Sequence, residues 1–493
     1  MKLSELAERI PGARLAGPGQ VEVARAVHDS RCVRPGDLFV AVPGTKADGH
    51  QFVQVALHAG AVAAAVERTA GLPAETPLLV VRDAREALGL AAHALAGDPT
   101  RRLTVCGVTG TSGKTTTTYL IRSILDGAGR PAGLLGTISY RIGPREIPSN
   151  MTTPDANDLA SYFAEMVDCG LKAAVMEVSS HALHQRRIAG IHFAVAAFTN
   201  LSSEHMDYHA TMEEYRKAKG LLFQALDPQA WAVLNRDDAA SVFFARGPGA
   251  RDLWYGLRNR ADVTAEDIRP SLAGTRFMLV TPRGRVEAFT PLLGPHNVLN
   301  CLTAAAVAEA LAIPLETIAA GIEATRTVRG RLEAVPSDKP FTVLVDYAHK
   351  TDALRHALST VADLLPDGPE RSRGDGARLI VVFGCGGDRD RIKRPAMAEV
   401  AERLADRIIV TTDNPRSERP EAIADEILKG FYSRRKVTVE LDRRAAIALA
   451  IRQARAGDVV VIAGKGHETY QIIGDVTRPF DDREVAAEIL SSL

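Results

Sequence analysis

Glycines, a lysine and several threonines follow one another closely in "GTSGKTT" (110–116). Gly110 and Gly113 would let backbone N–H groups close around a phosphate, and a following helix would add the positive end of its dipole. Lys114 has the reach to contact the β- and γ-phosphates of a nucleotide, and the Thr115 hydroxyl can ligate Mg²⁺. We predict a phosphate-binding loop, although it is shorter than the usual G-x-x-x-x-G-K-[ST] pattern. A strand-to-helix turn without a ligand is the alternative.

Two candidate metal ligands lie at the ends of later apolar segments. Glu177 ends the apolar part of "AAVMEV" (173–178), where a lone carboxylate is costly unless it is paired or metal-bound. His205 follows "FAVAAFT" (193–199). The carboxyl ends of strands beside a phosphate loop are where open α/β sheets build their sites. We predict that both side chains help to hold Mg²⁺; a satisfied strand-end acid and a core histidine are the alternatives.

The segment "MEEYRKAKGLLF" (212–223) has the spacing of an amphipathic helix. The pattern places three side chains on the buried face: Tyr215, Ala218 and Leu222. Lys217 is then an ordinary solvated charge. Lys219 lies next to the buried positions, and helical spacing alone favours a lysine whose amine reaches the surface.

A stiff turn, "TTDNPR" (411–416), directly follows the apolar run "RIIV". Three other apolar runs in this part of the chain end on "DYAH", "GCGGDRD" and "GKGHE". In an open parallel sheet such loops share one edge, so their side chains converge on one crevice. The crevice would present four polar side chains: Arg389, Asn414, Arg416 and Glu468. This mixture fits an amino acid that has a free amine and a second carboxylate.

Arg416 is the predicted clamp for that second carboxylate. Its guanidinium can bind a carboxylate through two parallel hydrogen bonds, and Pro415 would fix the backbone before it. Glu468 would hold the ammonium. Lysine lacks the distal carboxylate and would leave Arg416 poorly paired. The alternative is a structural ion pair between Arg416 and a nearby acid.

The elements that must position these residues are those of an α/β protein. Apolar runs separated by helical stretches predict parallel sheets that are covered on both faces. Breaks at "AGDPTRRL" (96–103) and "RGRLEAVPSDKP" (329–340) predict three domains, 1–100, 101–332 and 333–493. We expect a smaller α/β first domain, a central sheet like that of P-loop ATPases and a Rossmann-like last sheet. Residues 366–376 are predicted to form a surface loop.

Composition limits the class of protein. The 493 residues are 46% hydrophobic and 24% charged, which is typical of a soluble globular chain. Lys+Arg and Asp+Glu number 60 each, so no overall field favours nucleic acid or an anionic membrane. There is no apolar leader and no run of 18 apolar residues, so we predict a cytoplasmic protein without membrane insertion. The five scattered cysteines are expected to be thiols.

The motifs occur in a recognisable order: "GTSGKTT", "EVSSH", "TNLSSEHMDYH", "YRKAK", "GPHNVLN", "GRLE", "DYAH", "GCGGDRDRIKRP", "DNPR" and "GKGHE". In this order the chain resembles the Mur ligase family over nearly its whole length. The resemblance implies an ATP-dependent, ADP-forming ligase of peptidoglycan precursor synthesis. The "DNPR" motif is similar to that of the branch that adds meso-diaminopimelate to UDP-N-acetylmuramoyl-L-alanyl-D-glutamate through an acyl phosphate.

The resemblance also implies roles for single residues. ATP would contact Gly110, Thr111, Ser112, Gly113, Lys114, Thr115, Thr116, Asn297, Asn300, Arg331 and Asp346. Magnesium would be held by Thr115, Glu177, His205 and a carbamylated Lys219, which here replaces the surface-lysine interpretation. Lys114, Lys219, His205 and Arg331 would be the catalytic side chains.

Substrate contacts are implied in the same way. The UDP part would contact His28, Ser30, Thr45, Lys46 and Ala47. The muramoyl dipeptide would contact Thr152, Thr153, Ser179, Gln185 and Arg187. Diaminopimelate would contact Arg389, Asp413, Asn414, Pro415, Arg416, Gly464 and Glu468.

Some residues depart from the family pattern, and other functions stay open. The departures are His28, Glu204, Lys350 and Ile392, and none of them removes a group that is assigned to the chemistry. A ligase of the same fold that adds L-lysine, D-Ala-D-Ala or glutamate is one alternative. A nucleotide switch or motor without amino-acid chemistry is another. We expect a monomer.

Overall fold

The computed structural model describes residues 1–44, 47–69, 71–365 and 376–493. Thr45, Lys46 and nearly all of the predicted surface loop at 366–376 lie outside these ranges. The chain divides into two compact units. The first unit comprises 1–265, 279–286 and 299–322, and the second comprises 266–278, 287–298 and 323–493. The predicted domain bounds stay predictions.

The first sheet of the first unit is small and mostly parallel. Its strands are β1 (Arg14–Ala16), β2 (Arg25–Val27), β3 (Asp37–Val40), β4 (Ala63–Val66) and β5 (Leu78–Val80), in the order β1-β5-β4-β3-β2. The helices of this region are α1 (Leu3–Arg9), α2 (Val53–His58) and α3 (Ala84–Leu95). Asp83 caps α3 by accepting from the N–H groups of Arg85 and Glu86.

The second sheet of the first unit carries the phosphate loop. Its strands are β6 (Thr104–Thr109), β7 (Ala132–Leu135), β8 (Ser139–Ile142), β9 (Arg145–Pro148), β10 (Ala173–Glu177), β11 (Val195–Phe198), β12 (Trp231–Asn235) and β13 (Arg251–Tyr255). The order is β13-β12-β11-β6-β10-β7-β8-β9, and the strands from β13 to β7 are parallel. Strand β6 therefore lies between β10 and β11, as the predicted site requires.

The helices around this sheet are α4 (Lys114–Gly127), α5 (Ala156–Asp168), α6 (Ser180–His184) and α7 (Met212–Gln224). The core side chains of the sheet include Val105, Met176 and Phe198, all with no exposed surface. Burying an apolar side chain of this size stabilises the fold by about 1.5–3 kcal/mol. The continuous apolar runs thus become strands that are covered on both faces.

The middle of the chain forms a three-stranded sheet, β14 (Thr264–Ser271), β15 (Gly274–Thr281) and β16 (Gly284–Thr290). Two helices follow, α8 (Pro295–Ala310) and α9 (Leu315–Ala324).

The main sheet of the second unit is covered by helices on both faces. Its strands are β17 (Glu333–Ala334), β18 (Thr342–Asp346), β19 (Leu379–Phe383), β20 (Arg407–Val410), β21 (Val437–Val439) and β22 (Val459–Ala463), in the order β17-β18-β22-β19-β20-β21. Strands β18 to β22 run parallel, and only β17 is antiparallel to its neighbour. Two apolar clusters lie on opposite faces of the sheet.

The helices of this unit are α10 (Thr351–Leu364), α11 (Lys393–Leu404), α12 (Pro420–Leu428), α13 (Arg443–Gln453) and α14 (Asp482–Ser491). A hairpin of β23 (Tyr470–Ile473) and β24 (Val476–Pro479) follows β22. The predicted α/β fold with parallel sheets is confirmed. No helix in the described ranges is long and apolar enough to cross a membrane.

Candidate active site

The phosphate loop connects β6 to α4, as predicted. Gly110 and Gly113 have positive φ angles of +148° and +86°. A Cβ at Gly110 would collide with Thr199 Oγ1, and a Cβ at Gly113 would lie 2.5 Å from Asn300 Oδ1. The loop therefore needs glycine at both positions, for the backbone angle and for space. It opens directly onto the N-terminus of α4, which is the usual geometry for binding phosphate.

The segment after β11 braces this loop. Asn200 accepts from Ser112 N at 3.0 Å and donates to Ser112 O at 3.0 Å, and Thr199 Oγ1 donates to Ser112 O at 2.7 Å. Thr111 Oγ1 lies 3.2 Å from the Tyr215 hydroxyl. Sequence reasoning missed Thr199 and Asn200. Their position directly after a strand that neighbours β6 was the available signal.

Lys114 folds back onto the loop. Its ammonium donates to the carbonyl oxygens of Gly110 and Thr111, both at 2.9 Å. The side chain is thus held at the loop, and its predicted contact with nucleotide phosphates stays a prediction. Thr116, the last residue of the motif, is buried in the first turn of α4.

Glu177 is buried at the end of β10 and is fully hydrogen-bonded. Its carboxylate accepts from Thr115 Oγ1 at 3.0 Å, from Thr137 N at 2.8 Å and from Thr137 Oγ1 at 3.1 Å. The structure thus brings together two of the predicted metal ligands, Thr115 and Glu177. These neutral donors also satisfy the hydrogen-bonding capacity of the Glu177 carboxylate without a cation. This agrees with the alternative interpretation, in which Glu177 is a satisfied acid at the end of a strand.

Lys219 is buried on the loop side of α7. Only 1% of its surface is exposed, and its ammonium donates to Gly110 O at 2.8 Å. Burial lowers the pKa of this amine well below its usual value, and the charge of Lys114 lowers it further. The surface-lysine interpretation was wrong because α7 packs against the loop and turns this position toward a buried carbonyl oxygen. Lys217 is solvent-exposed, and Tyr215, Ala218 and Leu222 are buried, as predicted.

His205 has a left-handed backbone, with φ +60°. Its ring makes an edge contact with the ring of His181 at 4.9 Å, and its Nε2 lies 4.0 Å from a carboxylate oxygen of Glu204. Within the described ranges, no group of three or more His, Cys, Asp or Glu side chains is arranged to hold a metal ion. The roles predicted for His205 and Lys219 at magnesium stay predictions.

Several predicted contacts of the muramoyl dipeptide form one network beside Glu177. Thr153 Oγ1 donates to Glu177 O at 2.9 Å and accepts from Ser179 N at 3.0 Å. Arg187 donates to Thr153 O at 2.9 Å and to Gln185 Oε1 at 2.7 Å. Thr152 Oγ1 lies 3.1 Å from Thr137 Oγ1, which itself contacts Glu177. The structure therefore brings these residues together.

A small cavity of about 60 Å³ joins this network to the first sheet. His28, Gln185 and Arg187 line it, together with Arg85, which sequence reasoning missed. Ser30 lies in a short turn and is not part of its lining. Ala47 is exposed, and its carbonyl accepts from Gly44 N at 3.0 Å. Thr45 and Lys46 lie outside the described residues.

The nucleotide contacts predicted near α8 and β18 are distributed over both units. Asn300 belongs to the first unit and lies against Gly113. Asn297, Arg331 and Asp346 belong to the second unit. Asp346 accepts from the N–H groups of Leu332 and Ala348 at 2.7 and 2.8 Å, and burial raises the pKa of its carboxyl. The nucleotide roles of these residues stay predictions.

Two loops of the crevice predicted in the second unit contact each other. Asn414 Nδ2 donates to Glu468 Oε2 at 2.9 Å, so the loops that follow β20 and β22 meet. A Cβ at Gly464 would lie 2.9 Å from Asp413 Oδ2. Lys465, which sequence reasoning missed, is fully buried and donates to Asn414 Oδ1 at 3.0 Å. Its place in "GKGHE" was the only signal.

Arg416 is held by backbone contacts rather than by Pro415 alone. Its φ is +52°, its N–H donates to Ile472 O at 3.2 Å, and its carbonyl accepts from Gly474 N at 2.8 Å. Arg416 Nη1 donates to Gly387 O at 2.8 Å. Among the described residues no carboxylate pairs with Arg416, so the predicted alternative of a structural ion pair does not occur.

Arg389 is exposed and lies beside the same loop. A Cβ at Gly386 would lie 3.1 Å from Arg416 Nη1 and 3.7 Å from Arg389 Cγ. A buried arginine, Arg394, supports the loop by donating to Gly386 O at 3.2 Å and to Glu418 at 2.8 Å. This pairing lowers the pKa of Glu418 to about 2. Sequence reasoning missed Arg394 because nothing distinguishes it from its charged neighbours.

Three family models match the chain: the Mur ligase catalytic domain over 23–95, the Mur ligase middle domain over 108–308 and the glutamate ligase domain over 330–466. The UDP-N-acetylmuramoyl-L-alanyl-D-glutamate–2,6-diaminopimelate ligase of Bacillus licheniformis is 44% identical and covers 100% of both chains. The ligase of the same name from Geobacillus kaustophilus is 46% identical and covers 99% of this chain and 98% of its own.

Solved structures agree with these matches. A UDP-N-acetylmuramoyl-L-alanyl-D-glutamate–2,6-diaminopimelate ligase has a TM-score of 0.75 at 34% identity, covering 100% of this chain and 99% of that chain. A D-alanyl-D-alanyl ligase from Acinetobacter baumannii has a TM-score of 0.61 at 23% identity, covering 99% of this chain and 96% of that chain. At this identity the match shows a shared fold alone. The resemblance seen in the sequence is confirmed, and the chain belongs to the Mur ligase family.

Proposed function

We propose that the protein is an ATP-dependent, ADP-forming ligase that joins meso-2,6-diaminopimelate to the D-glutamyl γ-carboxylate of UDP-N-acetylmuramoyl-L-alanyl-D-glutamate. The crevice of the second unit carries this proposal, because Asn414 links its two charged sides: Arg416 Nη1 lies 3.4 Å from Asn414 O, and Asn414 Nδ2 donates to Glu468 Oε2 at 2.9 Å. The relatives named for this reaction are 44% and 46% identical to the chain. The product would be a cytoplasmic precursor of peptidoglycan.

The phosphate loop supports the first step. In that step an oxygen of the D-glutamyl γ-carboxylate attacks the γ-phosphorus of ATP, an acyl phosphate forms and ADP leaves. Catalysis of phosphoryl transfer rests mostly on positioning and on neutralising charge. The N–H groups at the start of α4 would hold the phosphates. Lys114, which now contacts Gly110 O and Thr111 O, would turn its ammonium outward toward them.

The second step is amide formation. The amine of diaminopimelate attacks the acyl carbon, the C–N bond forms, phosphate leaves and the nitrogen loses a proton. Asp413 and Glu468 would bind an ammonium of the amino acid, and Arg331 would stabilise charge on the transferred phosphoryl group. The two carboxylates suit a cationic ligand because their side chains are only 8% and 18% exposed, and a charged donor and a charged acceptor make strong hydrogen bonds.

The residues beside the phosphate loop fit a magnesium ion. Thr115 Oγ1 and Glu177 Oε2 are potential oxygen ligands only 3.0 Å apart, and Gly136 makes room for this carboxylate, since a Cβ there would lie 2.5 Å from Oε1. Mg²⁺ is often held by one or two carboxylates together with substrate phosphates. We infer that His205 and Lys219 complete the set. The bound ion would neutralise charge on the phosphates.

Lys219 suits the carbamylation that we infer for it. Because its pKa is lowered by burial, its amine is neutral over a wider pH range than that of an ordinary lysine. A neutral amine can attack CO2, forming an N–C bond and releasing one proton. The resulting carboxylate is a magnesium ligand of the preferred type.

Arg416 would select the amino acid. Its Nε and Nη2 atoms make no hydrogen bond to the described residues, so they remain available for a carboxylate. L-lysine would leave this partly buried guanidinium unpaired, which costs several kcal/mol or roughly a hundredfold in discrimination. This observation favours the diaminopimelate ligase over a lysine-adding ligase of the same fold.

Phosphate release from ATP tests the proposal directly. The enzyme is given UDP-N-acetylmuramoyl-L-alanyl-D-glutamate with meso-diaminopimelate, with L-lysine or with no amino acid. We expect release only with diaminopimelate. Equal release with lysine would keep the ligase but contradict the role of Arg416. Release that does not depend on any amino acid would point to a nucleotide switch instead.

A further inference from the structure

Lys465 is a buried cation at the centre of the amino-acid crevice, and the proposed reaction gives it no role. Its side chain has no exposed surface. The ammonium donates to Asn414 Oδ1 at 3.0 Å and to Glu468 Oε2 at 3.1 Å, and it lies 3.8 Å from Asp413 Oδ1. Lysine is almost never fully buried unless it is paired. All three of its partners belong to the crevice.

The contacts of Lys465 determine how the Asn414 amide is oriented. Asn414 Oδ1 accepts from Lys465 and from Ile472 N, the latter at 3.0 Å, while Nδ2 donates to Glu468. A flipped amide would place its N–H groups against an ammonium and a backbone N–H. An amide has two acceptor sites and two N–H donors. Both acceptor sites are used, so one N–H donor is left for a ligand.

The same ammonium leaves part of each carboxylate available. Glu468 Oε2 accepts hydrogen bonds from Lys465 and from Asn414 Nδ2, whereas Oε1 makes no hydrogen bond to the described residues. The carboxylate of Asp413 also makes no hydrogen bond to them and has only the longer ion pair with Lys465. These free oxygens can accept from the ammonium of an amino acid, while the free Asn414 N–H and Arg416 can donate to its carboxylate.

A second buried ion pair nearby shows what a purely structural pair looks like here. Arg443 donates to both oxygens of Asp482 at 2.7 Å, and neither side chain has any exposed surface. Its remaining hydrogen bonds go to the backbone carbonyls of Thr412 and Ala463. Lys465 differs because its partners keep unused hydrogen-bonding atoms.

We propose that Lys465 is a positioning residue for the amino-acid substrate. Its ammonium pairs with Glu468, fixes the amide of Asn414 and thereby presents a preformed site for the zwitterionic end of an amino acid. This inference rests on the proposed function and deepens it. Lys465 itself does not have to touch the substrate.

The test compares Lys465→Met and Lys465→Gln with Lys436→Met, a control in which an exposed lysine donates to Ala405 O at 3.2 Å. KM is measured for diaminopimelate, for ATP and for the UDP substrate, together with the thermal unfolding midpoint. We expect both Lys465 variants to raise KM for diaminopimelate by roughly thirty- to a hundredfold, which is the lower part of the range for truncating one partner of a buried charged pair. The other KM values and the control should stay unchanged.

The selectivity of the effect separates positioning from a merely structural role. A structural role would lower the unfolding midpoint and change all three KM values together, whereas a positioning role changes KM for diaminopimelate alone.

Each further outcome decides against the inference. An unchanged KM for diaminopimelate, or an equal rise in all three KM values, would overturn it. Loss of the folded state in both Lys465 variants would also overturn it, because the lysine would then serve stability alone. If the wild-type enzyme releases no phosphate in response to diaminopimelate, the proposed function itself has failed, which is a distinct result.

Discussion

The phosphate loop and the amino-acid crevice are both proposed to hold charged ligands, and they are built in opposite ways. The loop uses glycines, backbone N–H groups and neutral threonine donors, and its buried amine, Lys219, has a lowered pKa. The crevice uses charged side chains that brace one another, with Lys465 between Asp413 and Glu468. We therefore expect the phosphate loop to be sensitive to any added side-chain atom at its glycines. We expect the crevice to be sensitive to the loss of any one of its charged side chains.

The largest expected effect tests the backbone side of this comparison. In Gly110→Ala the added Cβ would collide with Thr199 and would require a left-handed backbone. We expect kcat/KM for ATP to fall by about a thousandfold, because small displacements of a catalytic loop are costly. Steady-state kinetics and the thermal unfolding midpoint are measured together.

Gly129→Ala is the matched control for this variant. Gly129 also has a positive φ, +69°, but a Cβ there meets no atom within 4 Å. It should lose a little stability and no activity. Similar losses of activity in both variants would mean that a side chain at any glycine with a positive φ is harmful, and would contradict a specific effect at the loop.

The next effect tests the charge side. In Arg416→Met we expect KM for meso-diaminopimelate to rise by about a hundredfold, because the distal carboxylate loses the guanidinium that we propose binds it. Discrimination against L-lysine should fall in parallel. Arg419→Met is the control, since the Arg419 side chain is 82% exposed and its contact is a 3.6 Å ion pair with Glu421. Retained discrimination in Arg416→Met would assign the selection to another residue.

The smallest expected effect concerns the free energy of unfolding. It tests Lys219, the buried lysine with a lowered pKa, in contrast to Lys465, the buried lysine that is paired with carboxylates. In the folded state the pKa of Lys219 lies well below 10.5, the value expected for an exposed lysine. Between the lowered pKa and 10.5, the unfolded state binds more protons than the folded state, so Lys219 makes the free energy of unfolding rise with pH. Lys219→Met should remove this rise, by at most about 1.4 kcal/mol per pH unit.

Urea unfolding in CO2-free buffer at pH 7 and pH 9 measures this difference. Lys217→Met, at an exposed position on the same helix, should leave the pH dependence as it is in the wild type. An identical slope in Lys219→Met and wild type would show that the amine is charged in the folded protein.

Much of the fold was predictable from the sequence because the signals are local. Continuous apolar runs became the parallel strands β6, β10 and β22, and the glycines of 110–116 marked the loop. The placement of Arg416 and Glu468 at one edge was predicted because loops that follow parallel strands share one edge of a sheet. Such features depend on residues close in sequence or on general rules of sheet topology.

The partners that complete each site were not predictable in the same way. Thr199 and Asn200 meet Ser112 from about 90 residues away, and Lys465 meets Asn414 across 51 residues. Helical spacing alone favoured a surface position for Lys219, which was wrong. Spacing shows which side of a helix is buried, but it does not show whether a carbonyl oxygen lies there to accept from a lysine. Long-range polar pairing carries no periodic signal in one sequence.

The left-handed backbone at Arg416 has a consequence for protein engineering. A non-glycine residue at φ +52° stores strain on the order of 1 kcal/mol. Glycine would relieve that strain, so a selection for heat resistance alone could reward the loss of this arginine. With Arg416 selecting the amino acid as we propose, stabilised variants of this enzyme would then lose their choice of amino acid first, while the phosphate loop kept working.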